Sequence, residues 1–102
     1  MIATNGISQP AGQAVIYAGD YLNKLSGETL EQECRRQIAD GCTELVVNFS
    51  ETEIVNSIGI SILLGVIDVA SKNGASVVFA EMNADTVELF DMLGLTRHVT
   101  IQ

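Results

Sequence analysis

The chain has 102 residues, 47% of them apolar, and carries thirteen Asp+Glu against five Lys+Arg for a formal charge of −8. That length is one domain, 1–102, and that apolar share excludes a disordered tail. The acidic balance argues against nucleic acid or an anionic membrane as partner; it suits plain solubility, or a basic protein partner.

Met1–Ser8 reads as an edge strand or a disordered lead, and the turn residues Pro10 and Gly12 separate it from a strand over Gln13–Ala18. If the lead is a strand, the two segments would pair as a hairpin. Gly19–Leu25 reads as a loop. Ser26 suits a helix N-cap, with Glu28 in a first turn that favours acids. The helix should run to Ala39, with Leu30, Cys34 and Ile38 buried and Glu31, Arg35 and Arg36 facing water, and Gly41 should close it.

Glu44–Ser50 is a strand whose apolar centre, Leu45-Val46-Val47, fits cover on both faces. A loop, Ser50–Asn56, leads to a second helix from Ser57 to Lys72. Ala75–Glu81 repeats the buried-strand pattern with Val77-Val78-Phe79. Asn83 caps a third helix, Ala84–Leu93, with Val87, Phe90 and Leu93 inward and Gly94 as its stop. Leu95–Ile101 has the β-branched residues of a last edge strand. Strands alternating with helices over short connections predict an α/β domain with a largely parallel sheet.

Enzyme motifs are missing. The chain has no GxGxxG and no GxxxxGK[ST] loop, and Gly59-Ile60-Ser61-Ile62-Leu63 fails the GxSxG pattern at its last position. The one histidine, His98, lies far along the chain from the candidate serines. Cys34 and Cys42 form no CxxC pair and read as reduced thiols of a cytoplasmic protein, and with one histidine they make no metal site. No cofactor is implied. No signal peptide opens the chain, and the apolar stretch Ile58–Ala70, broken by Ser61, Gly65 and Asp68, is too short and polar to insert in a membrane.

The informative segment runs from Val46 to Ser61. A buried strand delivers a loop carrying Glu51 and Glu53 to a helix start. Asn56 can cap that helix, which puts Ser57 in the first turn, where backbone N–H groups are free and the dipole is positive. A phosphate on Ser57 would be tolerated there, and would enlarge a negative surface enough to eject a partner. A plain capping-region serine is the simpler reading of the same residue. At ~100° per residue, Ser57, Ser61, Asp68 and Lys72 share one side of the helix, and Ile60, Leu63, Val66, Ile67 and Ala70 the other. Ile58, Ile62 and Val69 lie between, as core under a neighbour or as a dry rim around the serines.

From these residues the chain resembles the STAS family, and within it the bacterial anti-sigma factor antagonists. Asn56-Ser57-Ile58-Gly59 is similar to the family's Asp-Ser-Ser/Ala-Gly signature, and Leu89-Phe90-Asp91-Met92-Leu93-Gly94-Leu95 to its Leu-Phe-x-x-x-Gly-Leu block. Gly74 before the Val77-Val78-Phe79 strand is a third match. The resemblance implies a mixed sheet of four to five strands with helices mainly on one side. It implies a protein that binds a serine-kinase anti-sigma factor, is phosphorylated by it at Ser57, and is reset by a PP2C-type phosphatase. Asn56 then orients the serine, and Ile58, Ile62, Glu51 and Glu53 join the contact surface.

The chain departs from the family at three places. Asn56 stands where the family has Asp, which keeps the cap and drops a charge. Ser61 stands where Gly is common and is a second candidate acceptor, though mid-helix its simpler role is a hydroxyl bonded back to the carbonyl four residues earlier. The chain ends at Gln102, where relatives often continue into a last helix: either it is a compact member, or that cover is missing, which would expose apolar surface and favour a homodimer. The competing expectation is a STAS scaffold module of a transporter or signalling assembly, without phosphorylation.

Overall fold

The two continuous apolar runs become the two central strands. The computed structural model describes residues 12–102. In it Glu44–Asn48 (β3) and Ser76–Ala80 (β5) pair in parallel, Val46 opposite Val78. Gln13–Tyr17 (β1) lies outside β3, and Thr100–Ile101 (β6) outside β5, giving the order β1-β3-β5-β6. Every ladder among the described residues is parallel. The expected lead strand at Met1–Ser8, and its hairpin with β1, lie outside the described residues.

Two further strands were not foreseen. Tyr21–Leu22 (β2) and Ile54–Val55 (β4) pair as a two-residue parallel ladder, Tyr21 opposite Ile54. They occupy the two segments expected to be loops. A two-residue strand has no periodicity to detect, and only tertiary pairing defines it.

Three helices cover one face: Lys24–Ala39 (α1), Ser57–Lys72 (α2) and Ala84–Met92 (α3). The main core lies between them and that face of the sheet, from Leu30 and Cys34 of α1 and Leu63, Val66, Ile67 and Ala70 of α2 to Leu45, Val47 and Val77. Phe49, Phe79 and Phe90 meet edge to face with centroids 5.2–5.8 Å apart, anchoring α3 to the sheet. Val46, Val78 and Ala80 are buried on the opposite face. That two-sided burial is why these strands are apolar throughout.

The N-terminus of α1 corrects the sequence reading. Asn23 is the cap, not Ser26. Ser26 is the third helical residue and completes a capping box: its N–H donates to Asn23 Oδ1 and its Oγ accepts from the Asn23 N–H, each at 3.0 Å. The first turn holds no acid, so Glu28 lies past it. Asn and Ser are equally good caps, and the choice fell to the residue that β2 leaves in extended backbone. Gly41 closes α1 in the left-handed region (φ 98°), as expected, and Gly94 follows α3 likewise (φ 81°).

Other differences are local. Leu93 is exposed, not inward, because α3 ends at Met92 and the chain turns away. The expected strand Leu95–Ile101 is mostly a 3-10 helix, Leu95–His98, with only Thr100–Ile101 pairing. Glu31 is half-buried, whereas Arg35 and Arg36 face water. Cys34 and Cys42 are buried free thiols. Burial, reinforced by Glu33 and Cys42, pushes Cys34 up to about 12, so it stays protonated and unreactive at neutral pH.

Candidate functional site

The segment Gly19–Leu22 is a template on which the loop before α2 is laid. Thr52, the one buried polar residue among those described, donates its hydroxyl to the Gly19 carbonyl. The Glu53 and Ile54 N–H groups both donate to the Asp20 carbonyl, at 2.8 and 3.3 Å. The Asn56 N–H donates to the Leu22 carbonyl at 3.0 Å. Five residues of loop are thus fixed before the helix begins.

Asn56 is the N-cap of α2, as expected. Its Oδ1 accepts from the Gly59 N–H at 2.8 Å, and its carbonyl accepts from the Ile60 N–H at 3.1 Å. The N–H groups of Ser57 and Ile58 have no partner among the described residues. Replacing this cap should cost about 1 kcal/mol. Asn56→Ala is therefore expected to lower the melting temperature by roughly 4–8 °C in a calorimetric scan, and Asn56→Asp, which keeps the cap and adds a favourable charge, to leave it level or raise it.

Gly59 explains a part of the motif that spacing alone does not. A Cβ built on it would lie 2.6 Å from the Leu22 carbonyl oxygen and 2.9 Å from Leu22 Cγ. The first turn of α2 therefore sits directly on the backbone of β2, and Leu22 is fully buried beneath it. The helix start cannot shift without moving the template.

Ser57 opens α2 and is exposed. Its hydroxyl makes no hydrogen bond among the described residues. Ser61, also exposed, donates its Oγ to the Ser57 carbonyl at 3.2 Å, the back-bond expected of a mid-helix serine. Asp68 and Lys72 share this face and pair at 3.0 Å. Glu51 and Glu53 are both exposed in the preceding loop, and Glu53 reaches a small cleft shared with Val55, Asn83 and Leu89.

The structure separates the two isoleucines that the sequence left undecided. Ile58 is 49% exposed, beside Ser57. Ile62 is half-buried because it packs on Gly27 of α1. Ile58 is thus open at the surface beside the serine, and Ile62 is chiefly helix–helix contact. Sequence reasoning missed Tyr21 and Ile54, which are exposed register partners on the β2–β4 ladder, Ile54 lying two residues before the cap. An apolar residue directly after an acid in a loop, Glu53-Ile54, was the only available signal.

His98 shares a groove with Asp68 and Ser71, but no hydrogen bond joins the three, and Asp68 is committed to Lys72. Among the described residues no group of three or more His, Cys, Asp or Glu is placed to hold a metal ion, and no helix is long and apolar enough to cross a membrane.

A parallel sheet with helices on one face, and a helix start seated on β2 that exposes a serine, define a small α/β domain. The STAS domain model matches residues 9–102, and the chain belongs to that family. No curated protein matches it. Among solved structures, it is similar to an anti-sigma factor antagonist from Mycobacterium paratuberculosis, with 20% identity, 92% of this chain and 80% of that chain covered, and a TM-score of 0.75. It is similar to the SulP transporter STAS domain of Vibrio cholerae, at 18% identity, 93% and 77% covered, TM-score 0.78. It is also similar to the Bacillus cell fate determinant SpoIIAA in its phosphorylated form, at 17% identity, 91% and 85% covered, TM-score 0.71.

Proposed function

We propose that this chain is a cytoplasmic anti-sigma factor antagonist, a binding module and not a catalyst, that captures a serine-kinase anti-sigma factor and is released by phosphorylation of Ser57. The observation that carries the reading is the exposed Ser57 hydroxyl at the first position of α2, on a start fixed by Asn56 and Gly59. A kinase needs a serine whose hydroxyl it can reach, and Ser57 is exposed. A phosphate there meets the free N–H groups and the positive end of the helix, so the fold accepts it. It also places close to two negative charges beside Glu51 and Glu53, on the surface a partner would cover.

Partner contact is assigned to Ile58, Asn56, Glu51 and Glu53, with Ile62 contributing at the edge. A PP2C-type phosphatase would reset the switch. Ser61 is the second acceptor on the same face. A homodimer of this chain belongs to the same proposal only if it leaves α2 free.

The test is intact-mass and tryptic-peptide mass spectrometry on protein isolated from its own cells, with and without phosphatase treatment. A phosphatase-sensitive gain of one phosphate on the Ser57 peptide is the expected result. Phosphate on Ser61 would keep the switch and move its site. An unmodified peptide across growth and stress conditions would reject the switch.

A second reading has its own support. Asn56 in place of an acid, and the likeness to a transporter STAS domain, favour a scaffold module that is never phosphorylated. In that case Ser57→Ala leaves signalling unchanged, and a pull-down recovers a transporter or sensor subunit in place of a kinase.

A further inference from the structure

A groove of about 740 Å³, which shares Asp20 and Tyr21 with the Gly19–Leu22 template of the candidate site, lies between the end of β1, β2 and the first turns of α1. Ile16 and Leu30 are buried in its floor. Its rim carries Tyr17, Tyr21 and Leu25, which are 60%, 42% and 76% exposed. Three large side chains left open around one concavity are more than scattered surface apolar residues. Tyrosines of this kind, apolar in body and polar at the tip, are enriched where partners bind.

The charge in the groove has one sign. Asp20 lies among the rim residues, and its carboxylate has no partner among the described residues. The Asp20 carbonyl is occupied in holding β4, so the residue's backbone is fixed while its side chain is free. Glu33, on the α1 wall, is already bonded to Arg36 and Gln37. Among the described residues no Lys or Arg lines the groove. Of the chain's five Lys+Arg, Arg35, Arg36 and Lys72 are paired within their own helices; Lys24, at the start of α1, and Arg97 remain against thirteen Asp+Glu, so the overall field stays negative.

A free carboxylate beside exposed tyrosine rings, over an apolar floor, is chemistry suited to a cationic side chain. Its methylene stem packs on the rings, and its head bonds the carboxylate. We propose that this groove docks an extended segment of a protein partner that presents an arginine or lysine next to an apolar side chain. The proposal does not rest on modification of Ser57.

The experiment titrates the ¹⁵N-labelled full chain with an amidated hexapeptide of alternating leucine and arginine, and in parallel with one of leucine and glutamate. The leucine–arginine peptide is expected to shift the amides of Tyr17, Asp20, Tyr21 and Leu25 to saturation, and to bind more weakly at high salt. Asp20→Asn is expected to weaken it by about tenfold at an unchanged melting temperature, since the side chain makes no bond to lose. Tyr17→Ser should weaken it several-fold, and Ser57→Ala should bind as the parent does.

The proposal is overturned by any of four results. The glutamate peptide binds equally well; both groove variants bind as the parent does; the shifts map to α3 instead; or the groove amides shift with protein concentration alone, which would assign the groove to a second copy of the chain.

Discussion

Ser57→Asp is expected to abolish capture of the serine-kinase anti-sigma factor while leaving the domain folded. Ser57 is exposed and its hydroxyl bonds nothing among the described residues, so the substitution removes no interaction. An acid in the first turn of a helix gains about 0.3–1 kcal/mol from the dipole. The melting temperature should therefore stay level or rise by a few degrees. At the interface the sign reverses. A carboxylate pressed against a partner surface without a counter-charge costs roughly 3–5 kcal/mol, or about two to four orders of magnitude in affinity.

Titration calorimetry against the kinase, with a thermal scan of each variant, separates the two effects. Ser57→Ala should keep parent-like capture and lose release, because it lacks the acceptor oxygen. Loss of capture together with a fall of ten degrees or more would assign Ser57 to the fold and remove it from the interface. Unchanged capture by Ser57→Asp would leave the scaffold reading in possession of this surface.

The parts of this protein legible in its sequence are those whose signal is local. Leu45-Val46-Val47 and Val77-Val78-Phe79 declare buried strands because no polar residue interrupts them. Asn56 and Asn83 declare helix starts because a side-chain oxygen must meet a free N–H within three residues, and both do so at 2.8 Å. What could not be read is set by distant partners. β2 and β4 exist only because Asp20 and Leu22 offer carbonyls to residues more than thirty positions away. Ser26 and Asn23 are both good caps, and the capping box that uses the two together depends on where β2 ends.

The candidate site divides the same way. Ser57 and its exposure followed from the cap. The fate of Ile62 did not, because a helical wheel cannot show that Gly27 of another helix lies opposite. Tyr21 escaped because its role depends on the ladder that brings it to Ile54.

Two glycines with nearly equal clearance should respond in opposite ways when given a methyl group. A Cβ on Gly59 would stand 2.6 Å from the Leu22 carbonyl oxygen, and one on Gly27 would stand 2.7 Å from Ile62 Cδ1. What is struck differs. The Leu22 carbonyl is backbone, tied to the Asn56 N–H, in a strand whose side chain is fully buried. It cannot yield without opening the β2–β4 ladder and tilting the start of α2. Gly59→Ala is therefore expected to cost about 2–3 kcal/mol, within the range for overpacking, and to lower the melting temperature by roughly 10–20 °C.

Ile62 Cδ1 is the free end of a flexible side chain that is only half-buried, and it can rotate aside. Gly27→Ala also gains up to about 1 kcal/mol of helix propensity inside α1. It should be neutral or mildly stabilising. Chemical denaturation of the two variants checks the pair. Because the cap and Ser57 ride on the contact at Gly59, only Gly59→Ala should also weaken partner capture at temperatures where the domain remains folded. A Gly59→Ala protein as stable as the parent would mean that α2 is not seated on β2, and that the serine is held by its cap alone.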